Sequence, residues 1–239
     1  HRRTSTVTDE GFESLLSTMA EMSRNIAQTS SLDSTLESVT SACVQLIPDV
    51  AGASILIIEG PEKYGSLAPT SELTERLDAL QHRFQQGPCW DAATTNPATR
   101  APDLRADERW PEFAPAAVEA GIVSMLSFRL FTFDSRVGAL NLFSEKVDAF
   151  SDESETVGGM LATQAATALI ANDRALQFRS ALASRDVIGQ AKGMLMERFD
   201  VDAVRAFELL ARVSSDSNVP LATIAERVVE KGSASRDPA

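Results

Sequence analysis

The side chains best suited to binding chemistry lie in the segment 184–199. If that segment is helical, residues three and four apart are neighbours on its surface. One side then carries Arg185, Gly189, Lys192 and Met196. Lys and Arg on such a face can contact phosphate groups, and exposed backbone beside them admits a close neighbour. The pattern therefore indicates anion binding rather than bond making or breaking.

Two glycines, Gly189 and Gly193, lie inside this predicted helix. Each costs a helix interior roughly 1 kcal/mol relative to alanine, so we expect another helix or a ligand to come close there. The spacing alone leaves two interpretations open. Either the cations and glycines form a binding face, or the cations are merely solvated and the glycines allow another helix to cross closely.

Another side of the same segment is apolar and is predicted to pack in a hydrophobic core. Two further helices are predicted after this segment. The core side carries Val187, Ile188, Ala191, Leu195 and Phe199. Asp202 is the predicted N-cap of a second helix. Asn218, with Pro220 in the first turn, is the predicted start of a third, and Gly232 is expected to end it.

Three motifs along these helices resemble the ANTAR domain of bacterial transcription antiterminators. They are S-R-x-x-I-G-Q-A-K-G-M-L-M from Ser184, A-F-x-L-L from Ala206 and N-x-x-L-x-x-I-A-x-x-V-V from Asn218. The resemblance implies an all-α three-helix domain that binds the unpaired bases and phosphates of RNA hairpin loops. The implied RNA contacts are Arg185, Gln190, Lys192, Gly193, Met196 and Arg212.

The charge distribution limits how such a domain can bind RNA. The chain has a net charge of -12, but residues 184–239 hold 8 Lys and Arg against 9 Asp and Glu, so most of the acid lies upstream. The sequence also departs from the family pattern at Ala211 and Ser215, and Val219 and Pro220 replace a more basic pair. Any RNA contact must therefore depend on a few placed cations, hydrogen bonds and stacking.

Upstream, residues 31–171 predict an α+β domain with an antiparallel sheet and flanking helices. The predicted strands are 53–58, 64–68, 98–102, 123–133 and 137–144, and the predicted helices are 32–47, 71–84 and 111–120. Residues 134 and 135 are the expected hairpin turn, and 86–91 is a loop rich in helix breakers.

Four motifs in this domain resemble the GAF domains that precede ANTAR domains. They are L-D-x-L-Q at 77–81, G-P-C-W-D-A at 87–92, R-W-P at 109–111, and S-F-R-L continuing to V-G-A-L-N-L-F at 137–143. The resemblance implies a sensor of a small molecule, a redox change or a protein partner, with the cofactor or ligand unknown. A sensing pocket would be lined by Tyr64, Phe84, Cys89, Trp90 and Trp110, and the alternative is that these side chains are plain core.

Cys89 has two interpretations of its own. It is either a redox-sensing thiol or cofactor attachment point, or a small buried core residue, which is the commoner role of such a cysteine. His82 is likewise either a ligand or a surface residue. The spacing of Cys43 and Cys89 fits neither a metal site nor a disulfide framework.

Two more helices are predicted, one before the α+β domain and one after its last strand. The first is 9–28, with an apolar seam at Leu15, Met19, Met22 and Ile26. The second is a long helix from about residue 152, whose heptad seam is Val157, Leu161, Gln164, Ala168, Ala171, Ala175, Phe178 and Leu182. This second seam either pairs two copies of the chain as a coiled coil or packs on the sheet or on the first helix.

These elements predict five segments along the chain. They are an N-terminal helix (1–30), a GAF domain (31–151), a coiled-coil helix (152–183), an ANTAR domain (184–232) and a tail (233–239). No catalytic motif, signal sequence or membrane-spanning run is present in the sequence, so we expect a cytoplasmic regulator rather than an enzyme.

The functional hypothesis is a signal-responsive antiterminator. A homodimer would present two ANTAR modules to paired RNA hairpins in a nascent transcript, under control of the GAF domain. The alternative is a sensor or scaffold whose helical end binds protein. Binding of DNA through a helix-turn-helix is disfavoured, because no predicted helix has a basic face for groove docking.

Overall fold

The computed structural model describes residues 31–60, 62–131 and 137–234, together with residues 17 and 20. The chain forms two compact units, His1–Asn172 and Asp173–Ala239. Nearly all of the predicted N-terminal helix at 9–28, the predicted turn at 134–135 and most of the tail at 233–239 lie outside the described residues.

Five antiparallel strands form the sheet of the first unit. They are β1 (Gly52–Ile58), β2 (Tyr64–Leu67), β3 (Ala98–Ala101), β4 (Ser124–Phe131) and β5 (Val137–Ser144). Their order in the sheet is β2-β1-β5-β4-β3. Every residue of β1 is buried, which agrees with its unbroken apolar pattern. The predicted antiparallel α+β fold is confirmed.

Four α-helices among the described residues flank this sheet. They are α1 (Leu32–Leu46), α2 (Glu72–Phe84), α3 (Pro88–Thr94) and α4 (Phe113–Glu119). Side chains that accept a backbone N–H fix two of the starts, since Ser31 caps α1 and Ser71 caps α2. These caps explain why the sequence located both helices closely.

One predicted loop is partly helical instead. The segment 86–91 was expected to be irregular, but α3 begins at Pro88 and continues through it. Proline breaks a helix interior yet suits the first turn, because its fixed φ is already helical and its missing N–H would have no helical partner. Gly87 provides the entry to α3 with a φ of 120°, which other residues rarely adopt.

Helices cover both faces of the sheet, as alternate residues of β1 show. Ile55 and Ile57 join a core formed with α1 and the start of a long helix, α5 (Asp152–Phe199). Leu56 and Ile58 point the other way and join Cys89 of α3.

The heptad seam predicted along α5 has two different environments. Its first members, Val157, Leu161 and Ala168, are buried with the sheet residues. Its last members are exposed, namely Ala171, Ala175, Phe178 and Leu182. Phe178 is 70% exposed and Leu182 51% exposed, so this part of the seam presents apolar surface that no described residue covers.

Two adjacent glycines early in α5 provide a matched test of this packing. A methyl group at Gly158 would clash with the ring of Phe128, whereas at Gly159 its nearest neighbour lies at 3.9 Å, an ordinary contact. We expect Gly158→Ala to lower the free energy of unfolding by about 1–3 kcal/mol. Gly159→Ala should raise it by up to about 1 kcal/mol, because alanine favours the helix. Thermal unfolding followed by tryptophan fluorescence measures both variants, and equal shifts would contradict the close packing at Gly158.

The second unit contains the last part of α5, α6 (Ala203–Ser217) and α7 (Leu221–Ala234). The three helices share one small core, formed by Ala191 of α5, Leu210 of α6, and Ile224 and Ala225 of α7. The predicted all-α arrangement is confirmed.

The helix ends in this unit confirm one sequence prediction and correct two. The Asp202 carboxylate accepts the Arg205 N–H at 2.8 Å, so Asp202 is an N-cap as predicted. Asn218 does not start α7; it ends α6 in the left-handed conformation, a role that asparagine shares with glycine. Gly232 does not stop α7, which continues to Ala234. A single glycine costs too little to end a helix by itself.

Candidate nucleic-acid interface and sensor core

The cationic side of α5 faces away from the core of the second unit. Ala191 is fully buried there, and Val187, Ile188 and Leu195 pack around it. Arg185 is exposed and Lys192 is half-buried. The helix is therefore held by one side and presents its cations on another.

The other predicted RNA contacts are also accessible. Gln190 and Gly193 are exposed on α5, and Met196 is 37% exposed. Arg212 is exposed on α6, two residues beyond buried Leu210 and so on nearly the opposite side of that helix from the core.

One residue expected in the core lies outside it. Phe199 was predicted to share the apolar side of α5, but it is the last residue of that helix and is 59% exposed. Packing against α6 and α7 ends before it, because α6 starts at Ala203 and contributes its core residues one turn later.

Gly189 and Gly193 do not lie at a crossing with another described helix. No atom beyond the helix's own backbone lies within 4 Å of the position that a Cβ would occupy at Gly189 or Gly193. Among the described residues, nothing uses the bare backbone that these glycines provide. Of the two partners expected from the sequence, a packed helix is not found among the described residues.

The cations of this face also lack acidic partners within the described residues. No ion pair joins Arg185, Lys192 or Arg212 to a described carboxylate, whereas the nearby Arg205 pairs with Glu208 at 2.8 Å. Unpaired cations can bind phosphate without first breaking an internal salt bridge. This arrangement suits an anionic ligand even in an acidic chain.

In the first unit, the five predicted pocket residues do not line one cavity. Trp110 is buried with Leu77 and Phe113, and Phe84 packs at the edge of that cluster. Cys89 is buried in a separate cluster, against which Trp90 packs. Tyr64 is 41% exposed and stacks on the ring of His82 at a centroid distance of 4.3 Å.

Two of the sequence motifs meet through Trp110. Its indole N–H donates to the Asp91 carboxylate at 3.2 Å, which links R-W-P to G-P-C-W-D-A. The Arg109 guanidinium lies 4.1 Å from the Trp110 ring centre. The hydrogen bond therefore joins the segment around Trp110 to α3.

The burial of both cysteines disfavours the redox-sensing interpretation. Cys43 and Cys89 are both free and fully buried. Burial raises the pKa of both thiols, and the nearby Asp78 carboxylate raises that of Cys89 further. Because the thiolate is the reactive form, both groups are expected to resist oxidation.

A buried polar network around Asp78 was not anticipated from the sequence. The Asp78 carboxylate accepts hydrogen bonds from Ser54 at 2.9 Å, Ser66 at 2.6 Å and the Asn141 amide at 2.9 Å. Ser127 donates in turn to the Asn141 carbonyl oxygen at 2.8 Å. The network ties α2 to β1, β2, β4 and β5.

The next turn of α2 carries buried polar atoms that have no hydrogen-bond partner among the described residues. Gln81 accepts the Cys89 N–H at 2.9 Å, but its own amide nitrogen is buried and unpaired, as is Nε2 of His82. A Cβ at Gly87 would lie 2.5 Å from the Gln81 side-chain oxygen, so glycine is required there. Unpaired buried polar atoms are costly, and they are the places where a ligand or water gains most by binding. The L-D-x-L-Q motif was the available signal, since its Asp and Gln share a helix side.

Asp78 should make the stability of the first unit depend on pH. Burial raises its pKa from 3.8 to about 6, and the three hydrogen bonds only partly oppose this rise. Because the folded pKa exceeds the unfolded one, the stabilising contribution is complete below about pH 4 and is lost as pH rises through 6. The difference is about 3 kcal/mol for one such group.

Asp78→Asn should remove this pH dependence and raise the unfolding temperature at pH 8. The amide keeps the shape of the carboxyl group and can donate to a serine hydroxyl, which can also accept. Tryptophan fluorescence during thermal unfolding between pH 4 and 8 is the measurement. Glu108→Gln, which removes an exposed carboxylate of the same unit, is the control and should keep the wild-type profile. A flat wild-type profile would contradict the shifted pKa.

Two other kinds of site receive no support from the described residues. No group of three or more His, Cys, Asp or Glu among them is placed to hold a metal ion. No described helix is long and apolar enough to cross a membrane.

Two family models match the chain. The model of the GAF domain matches residues 29–170, and that of the ANTAR domain matches residues 176–229. Both resemblances seen in the sequence motifs are thereby confirmed. No curated protein matches the chain.

Several solved structures share the fold at low identity. A free methionine-R-sulfoxide reductase from Neisseria meningitidis is 14% identical, with a TM-score of 0.50, over 73% of this chain and 99% of its own. The Stigmatella aurantiaca phytochrome photosensory core module is 13% identical, with a TM-score of 0.57, over 90% of this chain and 49% of its own. The Burkholderia cenocepacia transcription factor CepR2 is 11% identical, with a TM-score of 0.53, over 68% of this chain and 99% of its own. At these identities the similarity shows the fold alone.

Proposed function

The chain belongs to the GAF domain family and also carries an ANTAR domain, and from this premise we propose that it is a signal-responsive transcription antiterminator. GAF domains are sensors and ANTAR domains bind RNA in antitermination; both are regulatory rather than catalytic. In this proposal two ANTAR modules of a homodimer bind paired hairpins in a nascent transcript. The first unit controls how much of the binding-competent dimer is present.

The observation that carries the proposal is the outer side of α5. Arg185 and Lys192 have no acidic partner among the described residues, and Gly189 and Gly193 leave open space beside them. Unpaired RNA bases can approach such bare backbone while phosphates meet the cations. Without a binding partner, Gly189 and Gly193 would only destabilise α5, because glycine is a weaker helix former than alanine.

The exposed half of the α5 seam supports pairing of two copies. Phe178 and Leu182 are more than half exposed, and the small side chains of Ala171 and Ala175 allow two helices to approach closely. Apolar residues at alternating spacings of three and four are the pattern that coiled coils bury.

The signal proposed for the first unit is a small ligand or a protein rather than oxidation. Both thiols are buried in protonated form, which disfavours a redox change. The unpaired amide of Gln81 and Nε2 of His82 are the polar atoms that a ligand would engage at the Asp78 network. The residues 31–151 and 184–232 remain our proposed limits of the two domains.

The proposal is tested by RNA binding. Purified protein is titrated against an RNA with two adjacent short-loop hairpins, beside a scrambled-loop RNA. We expect loop-specific binding that weakens with salt, because phosphate contacts release counterions. Lys192→Ala should weaken binding about tenfold and reduce the salt slope by about 1. Arg227→Ala removes an exposed cation of α7 and should leave binding nearly unchanged.

Failure to bind RNA would favour the second candidate function, a scaffold that binds protein. One observation supports it, since Val204 is 70% exposed and Phe207 is 43% exposed on α6. Exposed apolar side chains grouped on one helix are typical of protein contacts. A stable dimer with no loop-specific RNA affinity would overturn the antiterminator proposal.

A further inference from the structure

The aromatic side chains of the second unit lie on its surface. Residues 173–239 include three of them, Phe178, Phe199 and Phe207, and no Tyr or Trp. They are 70%, 59% and 43% exposed. The core of this unit is formed by aliphatic side chains instead. Aromatic side chains carry large apolar surfaces that usually dominate a core, so three exposed rings indicate contacts made outside the chain.

Phe199 lies on the same side of α5 as two of the proposed RNA contacts. It follows Lys192 by seven residues, which is about 20° short of two full turns, and Met196 by three. Residues three apart are neighbours on a helix surface. The three side chains therefore follow one another over roughly 10 Å of the helix, from a cation through a thioether to an aromatic ring.

Met196 and Phe199, which we call the apolar platform, are not covered by the described chain. Met196 is 37% exposed and Phe199 is 59% exposed. Leu195 is the last residue of α5 that packs on the core shared with α6 and α7. The apolar platform begins directly after it and is accessible from solvent.

The local charge distinguishes the apolar platform from the phosphate contacts. The chain from Gly193 to the start of α6 at Ala203 holds one cation, Arg198, against three acidic residues, Glu197, Asp200 and Asp202. Phosphate groups are therefore not attracted to this end of α5, and we expect them to remain near Lys192. An uncharged base has no such restriction, and every base has a face that can stack on an aromatic ring.

We propose that Phe199 stacks on one unpaired base of the hairpin loop, with Met196 beside it, while phosphates of the same loop contact Lys192. This inference rests on the proposed function and adds a base contact to it. Each module of the dimer binds its own hairpin, so the contact lies within one copy. Bases of a duplex are already stacked on one another, and Phe199 thus favours unpaired loops over paired RNA.

Phe199→Ala tests the stacking through affinity and salt dependence together. The variant should bind the two-hairpin RNA about ten- to a hundredfold more weakly than the wild type. Its salt slope should stay unchanged, because stacking releases no counterions. Lys192→Ala should instead lower affinity and salt slope together. Equal RNA affinity of Phe199→Ala and the wild type would overturn the inference and leave the proposed function intact.

Phe199→Leu and Val204→Ala are the matched controls. Leucine is apolar but has no ring, so Phe199→Leu should lose most of the affinity that Phe199→Ala loses. Val204 is 70% exposed on α6, and Val204→Ala should bind RNA normally. Wild-type affinity in Phe199→Leu would show that the ring is not needed. A loss in Val204→Ala as large as that in Phe199→Ala would show a general apolar effect, and either result overturns the stacking.

Phe199→Trp gives a direct signal of the contact. Indole also stacks on bases, so the variant should keep its affinity, and its emission should be quenched when the loop binds. The emission of Trp90 and Trp110 is subtracted by using the wild-type chain. A fully paired duplex should cause no quenching. Binding of the two-hairpin RNA without quenching would place Phe199 away from the bases.

Sedimentation without RNA distinguishes a base from a second copy of the chain as the group that covers Phe199. Phe199→Ala should pair like the wild type, because it leaves the proposed seam at Phe178 and Leu182 unaltered. Weaker pairing would place Phe199 in the contact between copies and overturn the inference. Absence of loop-specific RNA binding by the wild-type chain would overturn the proposed function and the base contact together.

Discussion

Leu182→Glu should convert the protein from a dimer to a monomer, weakening the pairing of two copies by at least about a hundredfold. Leu182 is 51% exposed in the single chain, so its apolar surface contributes little to the fold. Burying one leucine is worth roughly 1.5–3 kcal/mol, and a dimer loses two of them. The variant also places two carboxylates opposite each other, and a tenfold change in affinity corresponds to about 1.4 kcal/mol.

Sedimentation over a range of concentrations measures this change. The helical content and unfolding temperature should stay near those of the wild type, since no core residue is altered. Val204→Glu is the matched control, because Val204 is 70% exposed on α6 and lies outside the heptad seam of α5. That control should remain a dimer. A Leu182→Glu variant that still pairs like the wild type would show that the exposed seam is not the dimer contact.

Replacing both exposed glycines of α5 by alanine should stabilise the second unit and damage RNA binding. No atom beyond the helix backbone lies within 4 Å of either Cβ position, so Gly189→Ala and Gly193→Ala meet no obstacle in the chain. Each should favour the helix by up to about 1 kcal/mol. If RNA approaches this backbone, the two methyl groups force it away at a cost of roughly 2 kcal/mol, or about thirtyfold in affinity.

The opposite signs of these two effects separate binding from folding. Stability is measured by the unfolding of helical signal, and affinity by titration with the two-hairpin RNA. Ser180→Ala is the control, since it also favours the helix at an exposed position of α5 but lies outside the predicted RNA contacts. It should bind RNA normally. Unchanged affinity in the double variant would show that the glycines do not contact RNA.

Elements set by local signals were predicted well. β1 is a run of apolar residues long enough for one strand, and α1 and α2 begin at serines whose side chains cap them. The errors fall where one residue type serves two purposes. Pro88 starts a helix rather than breaking one, and Asn218 ends α6 rather than starting α7.

The candidate sites divide in the same way. The proposed RNA-binding side of α5 follows from spacing along one helix, so the sequence was enough to group Arg185 with Lys192. The Asp78 network joins residues far apart in the chain, since Ser54 and Asn141 are 24 and 63 positions away from it. No local pattern brings such residues together. Aspartate side chains are mostly exposed, so the residue type of Asp78 also predicts an exposed carboxylate rather than a buried one.

The sequence by itself determined the order of the two domains, the strands and most helix starts, and the heptad seam of α5, because these depend on neighbours within a few positions. Only the tertiary structure decided which part of that seam is covered. Packing on the sheet buries Val157 and Leu161, while Phe178 and Leu182 have the same spacing and remain exposed. Periodicity identifies an apolar side of a helix, but burial depends on which distant residues lie against it.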